Sequence, residues 1–219
     1  SSKNKRSNAC IRIYYESRKM PESFMELVFF SDDFKKWVNS VCQTRYDNLP
    51  EKDPRLVIPF FDESGKLIAA QGRALGSHSG QTRYITVKVH EDAKKIYGLD
   101  RWKKDQLTYV VEGPIDSMFI PNCLAIAGGD LTSIKLDKKN TVLIFDNEPR
   151  NIHTSKKVYQ ALNDEWSVVI WKERYAYKIK DINDLVMRGM ENVQLVNFIN
   201  KNTFNGVNAL LEYSKWNRT

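Results

Sequence analysis

The sequence predicts an α/β protein in three parts. A basic α+β subdomain covers residues 1–105, an α/β domain with a central, mostly parallel sheet covers 106–190, and a helical segment covers 191–219. Three observations carry this reading. From Gln106 onward short apolar runs alternate with turn and helix signals, the pattern of parallel strands joined by crossover helices. Two of those runs end in carboxylates followed by proline, Tyr109-Val110-Val111-Glu112-Gly113-Pro114 and Leu143-Ile144-Phe145-Asp146-Asn147-Glu148-Pro149. The positive charge is also uneven: of the net +7, residues through Asp105 carry 20 Lys+Arg against 14 Asp+Glu, or +6.

Taken in order, the chain opens with a polar start read as a disordered tail and a short apolar-aromatic run, Ile11 to Tyr15. Pro21 suits the first turn of a helix over Glu22 to Phe29. A second helix, from Asp32 or Asp33 to Val41, places Phe34, Trp37, Val38 and Val41 on one face. Leu56 to Phe61 and Leu67 to Ala74, around Asp62-Glu63-Ser64-Gly65-Lys66, form a hairpin. Pro59 in its first arm argues for an edge strand or a bulge. Gly72 is read as room for a partner backbone or phosphate, with Arg73 beside it as a fork of donors that suits phosphate. Ser77 to Thr82 is read as a mobile loop, and Arg83, Ile85, Val87 and Val89 share one strand face.

The second half supplies strand Leu107 to Val111, a short helix from Pro114, strand Leu124 to Ala127, a Gly128-Gly129 turn and strand Thr141 to Phe145. A helix over about Asn151 to Leu162, strand Val168 to Trp171 and the acidic turn Lys178 to Asp184 follow. In the last thirty residues Leu195, Val196, Ile199, Val207, Leu210 and Leu211 are the expected helix packing positions. Ligand sites in parallel sheets lie beyond the carboxyl ends of the strands, where Glu112, Asp146 and Glu148 fall.

At 219 residues the chain can bury one large core or two small ones. No apolar run approaches the roughly 18 residues a membrane span needs, so no membrane partner and a cytoplasmic location are expected. Three cysteines and three histidines stand far apart without zinc spacing. Several ionised carboxylates at one sheet edge repel, by roughly 4 kcal/mol for a pair about 4 Å apart at an effective dielectric near 20. They need protonation, solvent or a bridging cation. Hard oxygen donors without His or Cys favour Mg²⁺ or Mn²⁺, which in pairs serve phosphoryl chemistry. A Ser117 or Cys123 nucleophile finds no paired histidine.

The residues also carry a resemblance. Glu112-Gly113-Pro114-Ile115-Asp116, Asp146-Asn147-Glu148 and Lys180-Asp181-Ile182-Asn183-Asp184 resemble the EGxxD, DxD and KDxDE elements of the Toprim domain of bacterial-type DNA primases. Tyr14-Tyr15-Glu16-Ser17-Arg18 is similar to that family's YLxxR, and Val57 through Gly72-Arg73 to its hairpin ending in GGR. Arg83-Tyr84-Ile85 and Ile96-Tyr97-Gly98-Leu99 are similar to KYL and LYGL. The segments stand in family order from about Ile11 to Met190, nearest in detail to primases of T-even-like bacteriophages.

The resemblance implies a primase core, a nucleotidyltransferase that joins ribonucleotides on single-stranded DNA for replication. It implies Glu112, Asp146 and Glu148 as catalytic residues that, with Asp181, hold Mg²⁺ or Mn²⁺, two ions in all. It implies Arg18, Arg73, Arg83 and Lys180 as contacts to nucleotide or nucleic acid, and Asp116 and Asp184 as supporting acids. Ribonucleoside triphosphates and a replicative helicase are the implied partners, the latter in a bacterial cytoplasm. A zinc ribbon precedes such cores, and no zinc ligand set occurs in this chain. Glu148 stands where the family has Asp, Asn183 where it has an acid, and Asp92 where it has a base. The alternatives are a Toprim nuclease or topoisomerase fragment and a non-catalytic Toprim DNA-binding scaffold.

Overall fold

A computed structural model describes residues 2–75, 82–172 and 178–219, with side chains from residue 9 onward. The chain divides into two compact units, Ser1–Arg101 and Trp102–Thr219.

The first unit begins with α1 (Ser2–Arg18) and α2 (Phe24–Leu27). The expected tail is therefore helix. Its apolar residues show little sidedness, which hid it in the sequence, but Ile11 and Tyr14, one turn apart, are buried, and Tyr14 stacks on Phe24. The helix expected over Glu22 to Phe29 is shorter, because Phe29–Ser31 becomes strand β1, pairing antiparallel with Arg55–Val57. Helix α3 (Phe34–Val41) starts at Asp33, whose carboxylate accepts from the Lys36 amide at 3.0 Å, an N-cap. It lays Phe34 and Val38 on Val57, Ala70 and Val87 of the sheet.

That sheet is antiparallel in the order β1, β2 (Arg55–Phe61), β3 (Leu67–Ala74), β4 (Tyr84–Lys88). β1 covers β2 only as far as Val57, so Pro59 lies where that edge is open, and the β2–β3 register shifts between Phe60 and Phe61. The hairpin turn is closed by Asp62, which accepts from the amides of Ser64 and Lys66, with Gly65 at φ +81°. β5 (Ile96–Tyr97) sets Tyr97 edge-on against Phe60. Gly72 corrects the sequence reading. A Cβ there would stand 2.6 Å from the Phe34 ring and 2.8 Å from the Arg55 stem, so the glycine makes room for this unit's own core. The stretch read as a mobile loop lies outside the described residues except for Thr82.

The second unit is a parallel sheet with one antiparallel edge. Its strands are β6 (Thr108–Val111), β7 (Cys123–Ile126), β8 (Thr141–Ile144), β9 (Ser167–Val169) and β10 (Thr203–Phe204). In space they run β10-β9-β8-β6-β7, with β6 parallel to both β7 and β8, β8 parallel to β9, and β10 antiparallel to β9. All four residues of β6, β7 and β8 are buried, which is why these strands read as unbroken apolar runs. The helices are α4 (Pro114–Ser117), α5 (Ile152–Asn163), α6 (Ile182–Met187), α7 (Asn192–Lys201) and α8 (Gly206–Trp216). Leu195 and Ile199 of α7 are fully buried as expected. In α8 the expected face is reversed: Val207 is 82% exposed and Leu211 56%, while Ala209 and Trp216 are buried. Tyr213, between them in helical spacing, meets Tyr159 of α5, and its hydroxyl lies 2.7 Å from Ser155 Oγ. β10 was not foreseen; two residues carry too little pattern.

Candidate active site

Register brings the acids together. In the parallel pair β6–β8, Val111 stands opposite Ile144, so Glu112 and Asp146 leave adjacent strand ends one and two residues later. Burial raises the Asp146 pKa to about 7, helped by the negative charges of Glu112, Asp181 and Glu148 and opposed by Lys180. Its carboxyl is thus the group these neighbours make hardest to ionise. Glu148 has the opposite balance. Burial disfavours its charge, but Lys180 at 2.9 Å, Thr154 at 3.1 Å and Asn151 at 2.9 Å outweigh that and hold its pKa below the ordinary range. The Lys180 ammonium also lies 3.5 Å from Asp146. It bridges the two carboxylates as a resident cation, a position the sequence did not reveal.

Asp181, Asp184 and Asp116 organise the start of α6. Asp181 is the N-cap, accepting from the Asp184 amide at 2.9 Å; Asp184 accepts from the Lys180 amide at 2.8 Å; and Asp116, on α4, accepts from the Asn183 amide at 3.0 Å. Carboxylates at a helix start satisfy amides that lack a partner within the helix. Gly113 leaves Asp116 its place, since a Cβ there would stand 3.3 Å from that carboxylate.

Asn147, passed over in the sequence, ties this edge together. Its Nδ2 donates to the Ile179 carbonyl at 2.8 Å, its Oδ1 accepts from Trp216 Nε1 at 2.8 Å, and its amide donates to the Lys180 carbonyl at 2.6 Å. A buried amide flanked by two acids was the signal available. Among the described residues, no group of three Asp, Glu, His or Cys side chains stands ready to hold a metal ion. The donors that meet at Asp146 are all hard carboxylate oxygens, which suits Mg²⁺ or Mn²⁺ in kind.

The first unit gathers its arginines separately. Arg73, on β3, is buried with its guanidinium between two rings, 4.8 Å from the Tyr14 centroid and 4.9 Å from that of Tyr84, and its Nη1 donates to the Tyr84 hydroxyl. Nε is buried without a hydrogen-bond partner. Burial first, and then the charges of Arg18 and Arg83, pull its pKa below the ordinary arginine value against the influence of Tyr14. The charges of Arg18 and Arg83 thus reach Arg73. Arg55, by contrast, is spent on structure: fully buried, it meets Asp53 at 2.6 Å and the carbonyls of Gly72 at 3.0 Å and Thr82 at 2.9 Å. Among the described residues no helix is long and apolar enough to cross a membrane, and Cys10, Cys42 and Cys123 are not in disulfide bonds.

No family model matches the chain. It is 36% identical over 205 residues to the DNA primase of Enterobacteria phage T4, covering 93% of this chain and 59% of that protein. The chain therefore spans little more than half of that relative. Its fold superposes on the catalytic core of the Escherichia coli primase with a TM-score of 0.64 at 15% identity, over 93% of this chain and 76% of the other. A DnaG primase catalytic domain bound to single-stranded DNA gives 0.61 at 15% identity, over 91% and 75%. At such identities these likenesses show the fold alone.

Proposed function

Because the chain belongs to the family of bacterial-type DNA primases, in the part that corresponds to their catalytic core, we propose that it joins ribonucleotides into short RNA primers on single-stranded DNA. One observation carries the reading: a carboxyl at a parallel strand end, Asp146, is pushed up to about 7 by burial and by surrounding acids. A protein keeps such a costly group where a cation or a transferred proton relieves it. Asp146, Glu148 and Asp181 are the ligands we assign to Mg²⁺ or Mn²⁺, with Glu112 taking a second ion or the proton of the attacking hydroxyl. When bound, a pair of divalent ions would activate the attacking oxygen and stabilise the leaving one. Lys180 offsets the charge of Asp146 and Glu148 before that and turns to nucleotide phosphate afterwards.

The first unit holds the polyanion. Arg73, held between two tyrosines, with Arg18 and Arg83 beside it, presents guanidinium donors to phosphates of template or incoming nucleotide. Ribonucleoside triphosphates and the DNA strand are the partners of this reaction, and a replicative helicase is the assembly partner we infer for it. The test is templated ribonucleotide incorporation by Asp146→Asn with Mg²⁺ or Mn²⁺. Loss of incorporation with retained binding of a DNA strand is expected; full activity would overturn the assignment.

A further inference from the structure

We propose that Trp216, in the last turn of α8, is a positioning residue of the carboxylate edge, its indole N–H fixing the loop that carries Asp146 and Glu148. The inference rests on the reading of those two acids as metal ligands of the reaction. In the sequence the residues after 190 offer only packing positions, yet α8 does more than pack. From its C-terminal end Trp216 Nε1 donates to Asn147 Oδ1 at 2.8 Å, the Arg218 amide donates to the Pro149 carbonyl at 2.9 Å, and Asn217 Oδ1 accepts from Ser155 Oγ at 2.9 Å. The Tyr213 hydroxyl lies 2.7 Å from the same Ser155 Oγ. These bonds take hold of the segment at Asn147, at Pro149 and in the first turn of α5.

The Trp216 bond has consequences that the others lack. Asn147 stands between the two acids in sequence and is buried, while the side chains of Asp146 and Glu148 are 28% and 30% exposed. An indole nitrogen can only donate, so Trp216 claims Oδ1 and leaves Nδ2 for the Ile179 carbonyl at 2.8 Å. Beside that bond the Asn147 backbone N–H meets the Lys180 carbonyl at 2.6 Å. Lys180 in turn sets its ammonium 2.9 Å from Glu148 and 3.5 Å from Asp146. One donor on α8 thus orients one amide, and that amide joins the two segments that supply the acids and their resident cation. Without the donor, Oδ1 is buried and unpaired, and nothing on that side keeps the amide turned toward Ile179. A displacement of about 1 Å in the groups that hold reacting atoms costs on the order of a hundredfold in rate. Binding of the strand and the nucleotide, which we assign to the arginines of the first unit, does not pass through this bond.

The experiment replaces Trp216 by its benzothienyl isostere, which keeps the shape and loses the N–H, alongside Trp216→Phe, in templated ribonucleotide incorporation by the 219-residue chain. The kcat should fall about 10- to 100-fold, with KM for ribonucleotides and affinity for the DNA strand within about twofold of the parent. Hydrogen exchange followed by NMR gives a readout independent of activity. In the isostere the Asn147 amide should exchange about fivefold faster or more, with the Leu143 amide of β8 unchanged. Ile199→Val, a truncation of a buried side chain on α7 that takes part in none of these bonds, should leave incorporation at the parent level. It separates the lost bond from a general loss of stability. Parent-like kcat or parent-like Asn147 exchange in the isostere, or a fall in kcat that Ile199→Val matches, would overturn the inference and leave the primase reading intact. A parent chain that incorporates no ribonucleotide would instead overturn that reading, and this inference with it.

Discussion

Asp146 shows how one side chain can weaken a fold and, in the reading proposed above, serve a site. Its folded-state pKa lies at about 7 against an ordinary 3.8, so the folded protein binds the proton more tightly than the unfolded chain. The contribution to stability is thus complete below about pH 4 and is lost as pH rises from about 4 to about 7. The shift of about three units corresponds to roughly 4 kcal/mol at most, and solvent at this partly exposed group reduces it to about 1–3. Asp146→Asn should therefore be more stable than the parent at pH 8 by ~1–3 kcal/mol, with the gap closing toward pH 4. Urea denaturation at several pH values measures it; an Asn variant less stable at pH 8 would contradict this account. Added Mn²⁺ should stabilise the parent at pH 8 and leave the variant nearly unchanged, read as a shift in Tm.

At the scale of elements, two small residues fix where larger groups go. Gly72 on β3 sits against Phe34 of α3 and the stem of Arg55. Gly72→Ala forces those groups apart and should cost about 1–3 kcal/mol in denaturant unfolding. Asn147 joins the β8 end to the Ile179–Lys180 segment and to Trp216 of α8. Asn147→Ala leaves a buried indole N–H and a carbonyl unpaired, so a loss of about 2–4 kcal/mol is expected. Because Lys180 follows from that segment, the variant should also lower incorporation more than it lowers binding of DNA. A variant with parent-like stability would show that the two side-chain bonds do not hold this edge.

At the scale of the molecule, the positive charge is concentrated in the first half of the chain, where we propose that phosphate is held. Each phosphate contact to a single strand contributes about 0.7 to the slope of log affinity against log salt. Replacing Arg18 and Arg83 with alanine should reduce that slope by about 1 to 1.5, and by the same amount for strands of different base sequence. Fluorescence anisotropy over a salt series reads both. A slope unchanged by the two substitutions would move the binding surface elsewhere.

Much of this was legible in the residues themselves. The buried strands β6, β7 and β8 announced themselves as apolar runs, and the acids after β6 and β8 could be placed at strand ends because the alternation of strand and helix implied parallel pairing. α1 escaped because its apolar residues lack a clear stripe, α8 because Val207, Leu210 and Leu211 imitate a packing face while Ala209, Tyr213 and Trp216 provide contacts. Local sequence thus determined which residues form strands, which acids end them and where the positive charge lies, since these follow from side-chain period and composition. Only the tertiary structure decided that Gly72 serves the core and that Lys180 bridges Asp146 and Glu148. Those facts depend on distances between segments far apart in the chain, and neither period nor composition encodes them.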